Sequence, residues 1–356
     1  MKIEKNILLC LLLFIINLFF AYYLFGSGKV GDYLVTLYDE IRYLENTDRL
    51  IVDLKAYGLL YVFENYYSYS QSVHFGHYFV FAFIRYFFHD SMFFWTSYQL
   101  LIYSFGVFYF SKYMLLEYEF IKINQLKYIS LILFLYPVFH YLAFSLMRDI
   151  SIFAFIAMAL YFYKANNFFK MFLILLVLSS YRINMTLCVL VYVLFDQIKG
   201  KNILSILKYF FSSIVVVVAI DSIAFGFIFR NLNRLNDLSL SNLINQILVF
   251  LFSPLPFTID ESLPEYLRFW LKLSFFICLL LATFYIVILV YSKFNKIVPA
   301  VPVMFMSLFY VFVYSTEFGI GFRQASMILP FIYIPLFFYL FDVFIRKNIN
   351  QKKDRL

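Results

Sequence analysis

The stretch YDEIRYLENTDRL, residues Tyr38 to Leu50, sets six charged side chains in thirteen positions of a chain that is 64% hydrophobic and 14% charged. Carboxylates and guanidiniums are the groups that deprotonate a hydroxyl and meet the charge of a phosphate. Asp39 is the candidate general base or metal ligand, Glu40 is its neighbour, and Asp149 in SLMRDI is the second acidic group. Arg148, beside Asp149, and Arg182 and Arg323 stand in three short polar breaks between apolar runs. A guanidinium suits phosphate because its planar donors bind two oxygens at once, whereas a lysine acts as a point charge. Arg230 and Arg234 head a longer polar segment, and His74 and His77 lie one helical turn apart, within reach of one ligand. Each group also has a plainer reading. Asp39 with Arg42 and Glu45 with Arg49 are helix-surface pairs at i,i+3 and i,i+4. Asp149 serves equally as a partner of Arg148 or a helix N-cap, the arginines as headgroup anchors, and the histidines as interfacial rings with a polar tip.

The elements that must position these residues are membrane helices. Fifty Phe and 32 Tyr in 356 residues, with a mean hydropathy of +0.83, exclude a soluble domain, whose interior could not hide that apolar surface. The chain reads as an all-α polytopic membrane protein, one integral domain over residues 1–356. Ten spans fit the hydropathy: Asn6 to Phe25, Met92 to Phe110, Tyr128 to Leu146, Ile150 to Tyr163, Phe168 to Ser180, Ile183 to Phe195, Ile206 to Phe227, Phe269 to Tyr291, Val298 to Tyr314 and Ala325 to Phe344. With these spans one side takes 15 Lys and 2 Arg, and the other takes three Lys and nine Arg. Lysine therefore marks the cytoplasmic side, which holds both termini and the basic tail 345–356. The same rule places Phe75 to Phe88, interrupted by Arg85, at the outer interface, and turns the chain at Tyr181 and Arg182. Residues 26–91 and 230–268 become two large outer loops. The first contains an amphipathic helix, with Leu37, Tyr38, Ile41 and Leu44 on its apolar side and Glu40 among the charges opposite. Asp221 is an ionisable residue inside the seventh span. Cys10, Cys188 and Cys278 fall in apolar runs without disulfide or metal spacing, the four His make no metal motif, and the net charge of +8 is explained by topology rather than nucleic acid.

Asp39-Glu40-x-Arg42-Tyr43, shortly after the first span, resembles the D-E-x-R-Y motif in the first periplasmic loop of the lipid A aminoarabinose transferases and the related protein O-mannosyltransferases, glycosyltransferases of the GT-C class. The interfacial segment from His74 to Asp90 and the acidic Asp149 in the next outer turn follow in a similar order, so the resemblance covers roughly residues 1 to 200 by arrangement. Departures are SVHFGH where that family carries a lysine and double proline, and Arg182 where it carries a lysine. Pro137, Arg148 and Asp149 also resemble a pattern in Wzy-type repeat-unit polymerases. The resemblance implies a GT-C-like fold and a bacterial inner-membrane enzyme of surface polysaccharide or lipopolysaccharide assembly, active at the periplasmic face. It would transfer a sugar or glycan from an undecaprenyl phosphate or diphosphate donor to an acceptor hydroxyl on a glycan or lipid. Asp39, Glu40 and Asp149 would be catalytic, with a divalent cation on Asp39 and Asp149 if a metal is used. Arg42, Tyr43, His74, His77, Arg148, Arg182, Arg230, Arg234 and Arg323 would bind substrate. The alternatives are an O-antigen or capsule polymerase, partnered by a chain-length regulator, and a lipid-linked oligosaccharide flippase.

Overall fold

The computed structural model describes residues 2–26, 38–70, 74–88, 91–198, 240–253, 255, 259, 261, 263, 265–291, 300–315 and 322–353. All regular structure among them is helical: α1 (Lys2–Ala21) with a π-helical turn (Tyr22–Gly26), α2 (Tyr38–Glu64), α3 (Tyr66–Ser70), α4 (Phe75–Phe87), α5 (Met92–Glu117), α6 (Leu126–Phe134), α7 (Pro137–Ala143), α8 (Asp149–Lys164), α9 (Phe168–Tyr181), α10 (Ile183–Ile198), α11 (Leu240–Leu251), α12 (Glu265–Tyr291), α13 (Val301–Ser315), α14 (Phe322–Ser326) and α15 (Leu329–Lys353). Among the described residues, Asn6–Gly26 and Arg268–Val290 are long and apolar enough to cross a membrane. The bent pair α6 and α7 adds a third if it is counted as one span, and Phe168–Tyr181, Ile183–Ile198, Ser241–Leu251, Val301–Val313 and Leu329–Phe344 are apolar but shorter. Leu8, Leu12, Phe19, Phe276, Leu280 and Val290 lie exposed along the two long helices, an arrangement that hydrocarbon tolerates and water does not. The molecule thus has the make-up of a helical membrane protein. The expected seventh span, Ile206 to Phe227 with Asp221, lies outside the described residues.

Helix α8 is the axis of the core. Every residue from Asp149 to Leu160 is buried, and its most extensive partner is α5. The approach is close because Gly106 has no side chain: a Cβ there would lie 2.6 Å from the Cα of Ala154. In a membrane, where lipid is as apolar as leucine, such small-residue contacts are a main source of helix association. At the far end of α8, Lys164 Nζ sits 2.7 Å from Glu117 of α5 and 2.8 Å from Asp196 of α10. Tyr192 and Tyr163 donate to the same two carboxylates at 2.6 Å and 3.0 Å. Three helices are pinned there by one cation.

The expected span from Tyr128 to Leu146 is not a continuous helix. It breaks into α6 and α7, bent by 62°, because Pro137 supplies no N–H and starts α7 as its first residue. The backbone carbonyls freed by the break are taken up by side chains: Tyr103 Oη donates to Leu133 O at 2.5 Å, and the His140 ring bonds Phe134 O. Internal satisfaction of this kind is what allows an interrupted helix at membrane depth.

The helix expected at Leu34 to Leu54 is α2, described from Tyr38 and followed to Glu64 across a kink at Gly58, whose φ of 82° and ψ of 179° form a non-helical conformation that glycine adopts readily. Its inward stripe differs from the sequence pattern. Glu40, Tyr43, Thr47 and Leu50 are buried, whereas Ile41, expected on the apolar face, is exposed. A carboxylate occupies the core side of a surface helix, and its partner explains why.

Replacing Gly106 with alanine drives a methyl group into the α8 backbone. The cost is about 1–3 kcal/mol, the range of an overpacked core, and the purified protein in detergent should show a thermal midpoint lowered by a few degrees. A midpoint equal to wild type would mean that α5 and α8 are not in close contact.

Candidate functional site

Between α7 and α8 the chain from Phe144 to Arg148 is non-helical and buried apart from Phe144. Backbone in such a place must find partners among side chains. Glu40 Oε1 accepts the Leu146 N–H at 2.8 Å, Trp95 Nε1 donates to Ser145 O at 3.0 Å, and the Gln99 side-chain amide donates to Met147 O. Ser145 Oγ accepts the Met147 N–H at 3.2 Å, and Gln99 Oε1 accepts from Ser151 at 2.8 Å. Helices α2 and α5 therefore fix the path of the segment that ends in Arg148 and Asp149. Glu40, expected as a neighbour of the base, has a positioning task in this arrangement.

Asp149 is the first residue of α8, where the positive end of the helix favours a carboxylate. It is wholly buried. Arg182 Nη1 stands 3.5 Å from Oδ1, and Arg323 Nε donates to Oδ2 at 3.1 Å. Arg182 lies in extended backbone at the break between α9 and α10, and Arg323 lies in α14. Three points distant in sequence thus meet at one carboxylate. The pairing differs from the local one with Arg148 that adjacency alone would suggest. Removing one partner of so buried a cluster leaves an uncompensated charge, which costs about 3–5 kcal/mol.

Arg148 is buried, with its guanidinium 5.9 Å from the Tyr43 ring. The Tyr43 ring meets His77 edge-on at 4.8 Å, and His77 also contacts Trp95 at 5.2 Å and Tyr181 at 6.0 Å. His77 is completely buried in this aromatic cage on α4. Burial, reinforced by the charge of Arg148, holds its imidazole well below the usual pKa and therefore neutral. The two histidines do not share an orientation: His74 is half-buried before the first turn of α4, with its ring on Tyr78 at 6.4 Å. Close packing at this corner comes from Gly76, where a Cβ would lie 2.2 Å from Ser180 Oγ.

Of the residues singled out in sequence, Glu40, Tyr43, His77, Arg148, Asp149, Arg182 and Arg323 converge on this corner. Arg42 is exposed on α2. The Asp39 side chain, Arg230 and Arg234 lie outside the described residues. Trp95 and Gln99 were not singled out, although a glutamine inside an apolar span is a signal of a buried polar contact. Both Asp149 oxygens face guanidiniums, which suits an anion site better than a cation site. Among the described residues no group of three or more His, Cys, Asp and Glu is placed to hold a metal ion.

The site is thus a buried polar corner, built where helix breaks of a helical membrane protein meet. No family model matches the sequence, and no curated protein or solved structure matches it either.

Glu40→Ala should leave the Leu146 N–H without an acceptor, at about 1–3 kcal/mol, while Glu40→Gln keeps a carbonyl in place and should recover most of the stability. Thermal unfolding of the two variants in detergent checks this; equal losses would mean that the carboxylate charge, not the backbone contact, is what matters. His77 makes a second prediction. A histidine whose folded pKa lies below its unfolded value of 6.5 costs nothing at higher pH and loses stability as the pH falls through that value, because only the unfolded chain takes up the proton. His77→Phe should flatten the fall in stability between about pH 6.5 and 5.

Proposed function

We propose that the protein is a GT-C type glycosyltransferase of a bacterial inner membrane, with about ten spans and both termini in the cytoplasm, working at the periplasmic face in surface polysaccharide or lipopolysaccharide assembly. The donor is an undecaprenyl phosphate or diphosphate sugar, and the acceptor is a hydroxyl of a glycan or lipid. The observation that carries this reading is the convergence of Arg182 and Arg323 on Asp149, next to Arg148, at a corner reached by the helix that bears Asp39 and Glu40.

In the proposed reaction Asp39 takes the proton of the acceptor hydroxyl as its oxygen bonds to the anomeric carbon. The bond from that carbon to the phosphate oxygen breaks, and the electron pair leaves with the phosphate. Arg182 and Arg323, held in place by Asp149 in the resting site, meet the new charge. The low-dielectric surroundings make each guanidinium worth more than it would be in water. Attack opposite the leaving group inverts the anomeric carbon. The buried, neutral His77 and Tyr43 line the corner next to Arg148 and exclude water.

A repeat-unit polymerase is the second reading, and one observation favours it: Arg182 and Arg323 both meet Asp149 with Arg148 beside it, and guanidiniums gathered in this way meet a diphosphate without a metal. A chain-length regulator would then be a partner.

Complementation of a deletion strain with Asp39→Asn tests the proposal, with the surface glycan read on a gel beside membrane levels of the protein. Loss of the glycan at normal protein levels is expected. Single-repeat chains would identify a polymerase, and a uniformly shortened or unmodified glycan a transferase of one sugar. A wild-type pattern would sink the general-base role of Asp39 and return Tyr38 to Leu50 to a surface helix.

A further inference from the structure

Farther along α2 than Glu40 and Tyr43, Asp48, Ile51, Val52 and Lys55 follow the i, i+3, i+4, i+7 spacing of one helix face. Arg85 and Tyr86 of the last turn of α4 lie opposite, and the six residues line a groove of about 420 Å³. Arg85 is held at the base of the groove: its side chain is only 8% exposed, and Nη1 lies 2.7 Å from Oδ1 of Asp48, whose side chain is 61% exposed. Lys55 is at the rim, with Nζ 5.9 Å from the centre of the Tyr86 ring. Beyond the groove the surface is apolar, with Leu59 and Leu60 exposed on α2 and Phe83, Phe87 and Phe88 on and just after α4.

We propose that this groove binds the phosphate of an anionic phospholipid, with Arg85 and Lys55 on the phosphate oxygens and the acyl chains along the exposed leucines and phenylalanines. Two cations against one carboxylate among the lining residues favour an anion. The apolar half of the groove and the hydrophobic surface that continues from it favour a lipid over a soluble phosphate, because acyl chains gain by covering that surface. Asp48 acts as the counter-ion of Arg85 when no lipid is bound. Asp48 is exposed, so its carboxylate can pass to water while the lipid phosphate takes its place on the buried Arg85. The site is separate from the corner around Asp149, and the proposal does not rest on the activity assigned to that corner.

The test uses full-length protein purified in detergent and titrated with phosphatidylglycerol or phosphatidylcholine, reading bound lipid by native mass spectrometry. Phosphatidylglycerol should bind ahead of phosphatidylcholine. Lys55→Gln, at an exposed position that leaves the fold intact, should weaken the first phosphatidylglycerol about fivefold, the worth of one basic residue at a membrane surface. Asp48→Asn should tighten it, because the competing carboxylate is gone. Inorganic phosphate at millimolar concentration should not displace the lipid; full displacement would mean a site for soluble anions and overturn the lipid assignment. Equal binding of the two lipids, unchanged in both variants, would overturn the site itself. Weaker binding in Asp48→Asn would overturn the counter-ion role.

Discussion

The carboxylate of Glu40 on the Leu146 N–H is the contact on which the rest of the candidate site depends. The segment after α7 leaves helical geometry inside a packed, water-poor interior, where each unpaired backbone group costs several kcal/mol. Glu40, Trp95 and Gln99 meet that demand from two other helices. As a consequence α2, a helix at the surface of the bundle, cannot slide or roll without breaking a buried hydrogen bond, and Arg148 and Asp149 cannot move independently of it. A charged residue on the inner side of a surface helix is costly unless it is paired. Here its cost is offset by a backbone donor that would otherwise be stranded.

The same logic accounts for the other irregular points. The bend between α6 and α7 is stabilised by Tyr103 and His140 on the freed carbonyls, and the break at Arg182 falls where the guanidinium reaches Asp149. Continuous helices such as α1 and α12 need no such help and present bare apolar surface. Polar side chains and helix breaks therefore occur together, and together they define the corner where Arg148, Asp149, Arg182 and Arg323 are gathered. Preorganisation is built in here: Arg182 at a helix break and Arg323 in α14 are both oriented by the Asp149 carboxylate.

Much of the helix plan was legible in the sequence because it depends on composition. The starts at Met92, Phe168 and Ile183 and the break at Arg182 follow from apolar runs and from where lysines cluster. Pro137 marked the bend of α6 and α7, but hydropathy averaged over the window hid it. The reversal on α2 was not legible. Periodicity assigns Glu40 to the solvent side because glutamate is charged, and only the distant Leu146 N–H, 106 residues away, makes the buried orientation favourable. Likewise the sequence offered Arg148, Arg182 and Arg323 as phosphate-binding candidates without their partners, whereas tertiary packing separates them into two that ion-pair with Asp149 and one set against the Tyr43 ring. Which charges pair is a property of how helix ends meet, and no local pattern carries it.

The two polar ends of α8 show why such pairing also constrains the bundle. At the Asp149 end one carboxylate is shared by two cations; at the Lys164 end one cation is shared by two carboxylates. Between them runs a helix with no charged side chain before Lys164, buried from Asp149 to Leu160 and held against α5 by the Gly106 contact. Apolar packing of that stretch tolerates small shifts along the axis, because one methyl contact replaces another. The ionic ends do not, since a shift of even an ångström or two trades a paired charge for an unpaired one in a low-dielectric setting. The end clusters thus set the axial register of α8 against α5, α10 and α14, and the register in turn sets where Arg148 stands relative to Tyr43 and His77. A bundle tied in this way keeps its buried polar corner in one place while the exposed apolar helices around it are free to adjust.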